Sequence, residues 1–381
     1  MNHARKKLTA KLASVVVCIA LCVTALSQTV VGARRDEYIA PAAAKLTDVS
    51  DKFDLGTLRE DYFNEDVVKK NPFDTEGEIY AIVDLGGSGA YEGYNGEGEF
   101  SDYLTTASAA ARVRDMEQAQ SSVLRRMKRA GIDYELRYSY TAVNNALAVR
   151  VDSADFDKLS QIAGVAGVYR SETYDVPQAV AVSNNANVYS TGIYDSSDIE
   201  YKGDGMVVAI LDSGFDYTHP AFSAMPPDSE GRWEKEDVAA KLDETVAKTE
   251  LSPDLTVDDV FYNLKVPYAY DYADSDANVF PSYSAHGTHV AGIVAGKDDT
   301  KVVNTSTGET FVGVAPNAQL AIMKVFTDNL DSRMLGGADT VDILAAINDC
   351  AALGVDVINM SLGSAGGFSD ESHDAYLNDT Y

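Results

Sequence analysis

The chain has 381 residues, enough for an export segment, one small domain and one larger one, and its 45% hydrophobic content is that of a globular protein with sizeable cores. A formal net charge of −28 argues against nucleic acid as a partner, because phosphate binding needs clustered Lys and Arg. An acidic, soluble, extracellular protein fits that balance, and the charge also serves plain solubility.

Residues 1–33 read as a signal peptide. Arg5, Lys6, Lys7 and Lys11 form a basic start, and Leu12 to Leu26 is an apolar run of fifteen residues, short for a membrane span. Val31-Gly32-Ala33 offers a small-x-small cleavage site, with Ala25-Leu26-Ser27 as the alternative. Cys18 and Cys22 lie inside this segment, so a cleaved chain keeps only Cys350 and can form no internal disulfide. Residues 34–77 are polar, acidic and aperiodic, and read as a flexible, solvated lead.

Order returns in residues 78–175. Glu78 to Leu85 is a strand, and the Gly/Tyr/Glu-rich stretch Gly86 to Gly98 is a surface loop whose glycines match no phosphate loop. Ala107 to Ala130 reads as a helix with Val113, Met116, Val123, Leu124 and Met127 on one broad face, stopped by Gly131. Strands at Tyr134 to Tyr140 and Ala146 to Val151, a short helix at Ala154 to Ile162 and a last strand near Val165 to Tyr169 give a β-α-β-β-α-β order. That is a small α+β, ferredoxin-like domain, and it holds no cluster of catalytic residue types.

Residues 176–202 form a polar linker, and a second domain spans 203–381. Met206 to Leu211 is a continuous apolar strand of the kind buried on both faces, and it ends at Asp212, where open α/β sheets place their active sites. Further strands are expected at Gln319 to Phe326 and Val355 to Met360. They alternate with helices at Gly287 to Ala295 and at Thr340 to Leu353, the latter with Ile343, Ala346, Ile347, Cys350 and Leu353 on one face. Strands alternating with helices argue a doubly wound parallel sheet of α/β class. A dinucleotide fold fails locally, since the turn after the first strand reads Asp-Ser-Gly-Phe-Asp and not Gly-x-Gly-x-x-Gly. In Ser284 to Gly296 a histidine, His286, sits in the first turn of a helix whose Val290, Ile293 and Val294 share one face. An aspartate on a strand end and a histidine on a helix tip are two thirds of a nucleophilic triad, although a strand-end aspartate alone is by default structural.

Four motifs carry a family resemblance: Val208-Ala-Ile-Leu-Asp-Ser-Gly-Phe-Asp-Tyr-Thr-His-Pro220, His286-Gly-Thr-His-Val-Ala-Gly292, Gly313-Val-Ala-Pro316 and Val357-Ile-Asn-Met-Ser-Leu-Gly363. In this order they resemble the subtilisin-like serine proteases over about Gly203 to Gly363. The resemblance implies a subtilisin-like doubly wound sheet, incomplete here, with Asp212 as the orienting acid and His286 as the general base. It makes Ser361, Leu362 and Gly363 the strand edge that pairs with an extended protein or peptide substrate. The 73 residues between Asp212 and His286 include an acidic insertion at about 223–283, helical over Glu230 to Glu250. That insertion resembles the large cell-envelope proteinases, the lactocepin-like branch. Residues 78–175, especially Tyr138 to Arg170, then resemble the family's inhibitory propeptide, an intramolecular inhibitor whose tail at Ser171 to Gln178 would lie in the cleft like a product strand. A permanently attached interaction domain is the plainer alternative.

The departures from the family pattern are specific. Its nucleophile stands in a Gly-Thr-Ser-Met-Ala motif on a later helix and its oxyanion asparagine on an intervening segment; neither motif occurs here, and Ser213, Ser361, Ser364 and Asn359 do not hold those positions. The sequence is therefore expected to be a C-terminally truncated part of a secreted or cell-envelope endopeptidase precursor, inactive by itself. The alternative is a catalytically inactive subtilase-like fragment or binding protein. Cell-wall attachment is left to sequence beyond Tyr381. No cofactor is required for the chemistry and no metal ligand set is assigned. A structural calcium lacks support because Ala221 follows His219-Pro220 where many relatives carry an acidic ligand, leaving Asp298, Asp299 or the insertion as candidates. His289 is expected to be a packed helix histidine and His219 a structural turn residue, while His373 lies in a polar tail.

Overall fold

Strand β1 (Glu78–Asp84) organises the smaller domain by sending alternate residues to two different cores. The computed structural model describes residues 77–175, 201–306, 308–328 and 337–363. The signal segment, the lead up to Glu76, the linker up to Glu200, Ser364 and His373 therefore lie outside the described residues. Ala81 and Val83 pack with Val123 and Met127 of helix α1 (Ala107–Arg129). Ile82 faces the opposite side. Strands β2 (Tyr134–Tyr140), β3 (Ala146–Asp152) and β4 (Gly167–Arg170) complete an antiparallel sheet of order β2-β3-β1-β4, the ferredoxin-like arrangement. Helix α1 starts where the Thr106 side chain accepts the Ala109 N–H and ends with Arg126, Lys128 and Arg129 against the negative helix terminus. The helix expected at 154–162 is shorter: a 3-10 turn at Ser153–Asp155, begun by the Asp152 carboxylate on the Ala154 N–H, runs into one α-turn at Phe156–Leu159.

After the two-residue strand β5 (Thr173–Tyr174), the larger domain begins with β6 (Val207–Asp212). Val207, Ala209 and Leu211 enter one core and Val208 and Ile210 another, so this strand is covered on both faces. Burial of this kind is worth about 2 kcal/mol for each large aliphatic side chain. Helix α2 (Lys235–Lys241), strand β7 (Tyr268–Asp271), helix α3 (His286–Ala295), the hairpin β8 (Lys297–Asn304) and β9 (Glu309–Val312), strands β10 (Gln319–Lys324) and β11 (Ala338–Asp339), helix α4 (Thr340–Leu353) and β12 (Val357–Met360) follow. The main sheet runs β12-β6-β10-β7, every pair parallel. Helix α3 packs with Val208 and Ile210, and α4 with Val207, Ala209 and Leu211, which is the doubly wound arrangement.

The stretch 223–283 does more than decorate the surface. Its residues Tyr268–Asp271 are the fully buried strand β7, and the acidic segment before it is helical only in part, as α2, a 3-10 turn and a π-turn at Ala247–Leu251. The break has a cause on α4. The Asp349 carboxylate accepts the Val246 and Ala247 N–H groups and the Tyr272 hydroxyl, fastening the insertion to the helix.

Helix α4 itself is buried almost all round, although its sequence shows one apolar face. Its outer face is covered by the smaller domain. Tyr140 donates its hydroxyl to the Val341 carbonyl at 2.7 Å, and the Asn348 amide donates to Asn144 Oδ1 at 2.9 Å.

Asp349 is fully buried, and burial pushes its carboxyl up from 3.8 to about 7. The folded state then holds this proton more tightly than the unfolded chain, so Asp349 makes stability fall as pH rises from about 4 to about 7. Asp349→Asn is expected to flatten that part of the stability curve, as read by urea denaturation at several pH values.

Candidate active site

The strand ends of the parallel sheet bring three charged residues into one row. Asp212 on β6 lies opposite Lys324 on β10, which lies opposite Asp271 on β7. Asp212 is 1% exposed. Its Oδ1 accepts the Ser213 N–H at 2.7 Å, and both carboxylate oxygens stand 2.9 Å from His286 Nδ1. The sequence separates these two residues by more than seventy positions, and the fold joins them through a strand end and a helix tip.

Interleaved loops hold the pair. Ser213 Oγ donates to the Ser284 carbonyl at 2.9 Å and accepts the Gly287 N–H at 3.2 Å. Thr288 Oγ1 accepts the Asp216 N–H at 2.8 Å. Gly287 is required by close approach: a Cβ there would stand 2.3 Å from the Gly214 carbonyl oxygen and 3.0 Å from the Asp212 Cβ. Helix α3 therefore rests directly on the end of β6. Ser213, Ser284 and Thr288 were legible only as small polar residues inside the motifs.

Lys324 was hidden within a strand pattern. Its ammonium is fully buried and pairs with Asp271, with Asp328 at 3.2 Å and with Asp274 at 3.4 Å. These three carboxylates converge as metal ligands would, but the ammonium already stands among them. Thr327 N–H donates to the Gly337 carbonyl at 3.3 Å, so the two ends of the segment leading to β11 are tied together beside this cluster.

The other expected residues fall as follows. Ala221 is buried in a 3-10 turn, Pro220–Phe222, whose first N–H groups include that of Ala221 donating to His219 Nδ1 at 3.2 Å. His219 thus closes a turn. His289 is exposed, and not packed as expected, because the buried side of α3 is made by Gly287, Val290, Ala291 and Ala295. Asp298 holds Thr300, and Asp299 pairs with Lys297. Ser361 Oγ donates to Asn359 Oδ1 at 3.0 Å. Ser361 and Leu362 are half-buried and Gly363 is exposed.

The end of the smaller domain runs along this edge. Thr173 and Tyr174 pair antiparallel with Asp339 and Ala338, and the Asp175 N–H donates to the Gly363 carbonyl at 3.2 Å. The rest of the expected cleft segment, 176–178, lies outside the described residues. Behind the tail, Arg137 donates to the Tyr272 and Ala273 carbonyls at 3.0 Å, to Ser275 Oγ at 2.9 Å and to Asp342 Oδ1 at 3.2 Å. The Tyr138 hydroxyl, fully buried, donates to Asp342 and lies 3.1 Å from the Tyr272 carbonyl oxygen. Burial pushes the Asp342 carboxyl up to about 6, against the opposing pull of Arg137.

Two family models match the chain: peptidase inhibitor I9 over residues 82–177, and the subtilase family, Peptidase_S8, over residues 203–379. The chain is 35% identical to the PII-type proteinase of Lactococcus lactis subsp. cremoris over 296 residues, 76% of this chain and 14% of that protein. It is 36% identical to the C5a peptidase of Streptococcus pyogenes serotype M3 over 167 residues, 43% of this chain and 12% of that one. Among solved structures, fervidolysin from Fervidobacterium pennivorans, a keratinolytic enzyme related to subtilisin, aligns with a TM-score of 0.41 at 16% identity, covering 81% of this chain and 39% of that one. The chain thus spans only a small part of the length of these curated relatives.

Gly287→Ala is expected to lift α3 from the strand end, at a cost of about 1–3 kcal/mol in stability. The proton NMR resonance of the His286 Nδ1–H, shifted downfield by its carboxylate contact, should be lost; a variant that keeps that signal and its melting temperature would refute the close-approach argument.

Proposed function

Because this chain belongs to the subtilase family and carries a peptidase inhibitor I9 domain ahead of its Asp–His pair, we propose that it is part of an exported serine endopeptidase precursor. The observation that carries this reading is the bracketing of His286 Nδ1 by both oxygens of a buried carboxylate, each at 2.9 Å. Asp212 fixes the tautomer with the proton on Nδ1, so that Nε2 takes the proton of an attacking serine hydroxyl. As the serine oxygen adds to the scissile carbonyl, the imidazole becomes imidazolium, which Asp212 stabilises; the same proton then passes to the leaving amine. Proton and acyl transfer are supplied by side chains, and no cofactor enters the cycle. The serine itself and the oxyanion donor come, in this reading, from further sequence of the same protein.

The substrate is an extended polypeptide held by backbone hydrogen bonds between β11 and Ser361–Gly363. Support comes from the tail 173–175, which runs antiparallel to β11 and reaches the Gly363 carbonyl. The smaller domain acts as the intramolecular inhibitor, since its tail occupies this edge while Arg137 and Tyr138 anchor it at Asp342. The basic and apolar start of the chain directs export, placing the reaction outside the cell or at its envelope.

The 381-residue chain is expected to hydrolyse no peptide. The same protein extended through its nucleophile should hydrolyse casein, and Asp212→Asn should lower kcat by about 10,000-fold. Unchanged turnover in Asp212→Asn or His286→Ala would sink the assignment. Arg137→Ala in the extended precursor leaves Asp342 buried without its cation and should weaken docking by about 3 kcal/mol, seen as earlier onset of activity during maturation; an unaltered lag would count against the anchor.

A further inference from the structure

Three side chains form one row across the strand ends of the parallel sheet, on the side that α3 covers. Ile210, Ile322 and Ala269 enter the same core, so two residues further on Asp212, Lys324 and Asp271 project from that side as well. Lys324 stands between the two carboxylates, and its side chain is fully buried. Burial opposes its charge, and the carboxylates of Asp271, Asp328 and Asp274 more than offset that, so the ammonium stays protonated. A buried ion pair adds little net stability over apolar residues of similar volume. The reason for a lysine here lies in what it holds in place.

Its stem lies against the turn that follows Asp212. A Cβ at Gly214 would stand 3.3 Å from Lys324 Cδ and 2.9 Å from the Val279 carbonyl oxygen. Gly214 is thus held between the lysine stem and the segment that leads into α3. The Gly214 carbonyl oxygen is in turn the atom that a Cβ at Gly287 would strike, at 2.3 Å. The backbone of the same stretch joins both neighbouring strands: the Val325 N–H donates to the Asp212 carbonyl at 3.1 Å, and the Tyr272 N–H to the Lys324 carbonyl at 2.8 Å. At its far end the ammonium gathers Asp271 from β7, Asp274 from the loop after it and Asp328 from beyond β10. Asp274 closes that end by accepting the Asp328 N–H at 2.7 Å and the Thr327 hydroxyl.

We propose that Lys324 is a positioning residue for the Asp212–His286 pair: anchored at its head by three carboxylates, its stem fixes the Gly214 turn on which the first turn of α3 rests. It acts through Gly214 and Gly287 and not on the scissile bond. A neutral side chain of similar length fills the space beneath Gly214, but nothing then holds its end. The carboxylates around that end lose their common cation, and the loops that carry them are no longer drawn together. Lys265 supplies the contrast. It is also fully buried, but it lies at the opposite end of the sheet and donates to the Pro316 and Ala318 carbonyls at 2.7 and 2.6 Å.

Two measurements test this: the proton resonance of the His286 Nδ1–H in the 381-residue chain, and kcat and KM for casein in the extended, processed enzyme. Only the second rests on the endopeptidase reading above. Lys324→Met is expected to lose the downfield resonance and to lower kcat about a hundredfold at unchanged KM. Lys265→Met should lower the melting temperature and change neither. Equal behaviour of the two variants would overturn the inference, as would a Lys324→Met protein that keeps its resonance and its kcat. If Lys324→Met does not fold, Asp271→Asn, which leaves the ammonium two of its three partners, carries the test. There kcat should fall about tenfold at unchanged KM, and wild-type kcat would overturn the inference. Absence of casein hydrolysis by the extended wild-type protein would overturn the endopeptidase reading alone, and the resonance would still decide the role of Lys324.

Discussion

Contact between the first turn of α3 and the end of β6, with no side chain between them, is the constraint on which the larger domain rests. A Cβ at Gly287 would meet the Gly214 carbonyl at 2.3 Å. The strand must therefore end on a residue that tolerates burial, and the helix must begin at the histidine whose Nδ1 meets that residue's carboxylate. The two loops must also interleave, which Ser213 achieves by serving the Ser284 carbonyl and the Gly287 N–H together. A buried carboxylate without a partner would be costly. Here the imidazole is that partner, so the group that stabilises the junction is also the one that can take up a proton.

The second constraint is shared between domains. Helix α4 covers one face of the parallel sheet with Val341, Ile343, Ile347 and Cys350 among its core residues, and it receives the smaller domain's sheet on its other side. Ile82, Tyr138, Tyr140, Ala146 and Ala148 enter the same core as the strands of the main sheet. The inner face of the small domain's sheet carries the helix α1, so its sheet is also covered twice. Each domain thus finishes the other's burial.

Much of this was legible from the chain because local pattern and fold agree. The continuous apolar run at β6 indicates two-sided cover, and the β-α-β-β-α-β order of residues 78–175 points to the ferredoxin-like class, for which the structure supplies the sheet order β2-β3-β1-β4. Asp212 and His286 stand in motifs at the places where strand and helix begin or end. What could not be read depends on contacts between distant residues. The periodicity of α4 places Asp342, Asn348 and Asp349 away from its apolar stripe, which suggests water, and only the docked domain and the insertion make them buried. Strand β7 was masked by its acidic surroundings. Lys324 looks like the end of a strand until Asp271, Asp274 and Asp328, two of them some fifty positions earlier, are brought around it. Helicity over Glu230 to Glu250 failed where Asp349 takes two backbone N–H groups that a continuous helix would have used.

The polar residues on the outer face of α4 make sense if that face is first covered and later exposed. Apolar residues at positions 342 and 348 would bind the smaller domain well, but would leave an exposed apolar patch on its departure. Asp342 and Asn348 avoid this. While docked, they are satisfied by the Tyr138 hydroxyl, the Arg137 guanidinium and the Asn144 side chain. Once uncovered, water replaces these donors at little cost. The docked carboxyl of Asp342, pushed up to about 6 by its burial, shows that cover is achieved against a desolvation penalty. Docking therefore rests on directional hydrogen bonds and the tyrosine-rich core as well as on the Arg137–Asp342 pair, and a helix face that a protein domain covers, and that would meet solvent without it, has reason to carry groups that either can satisfy.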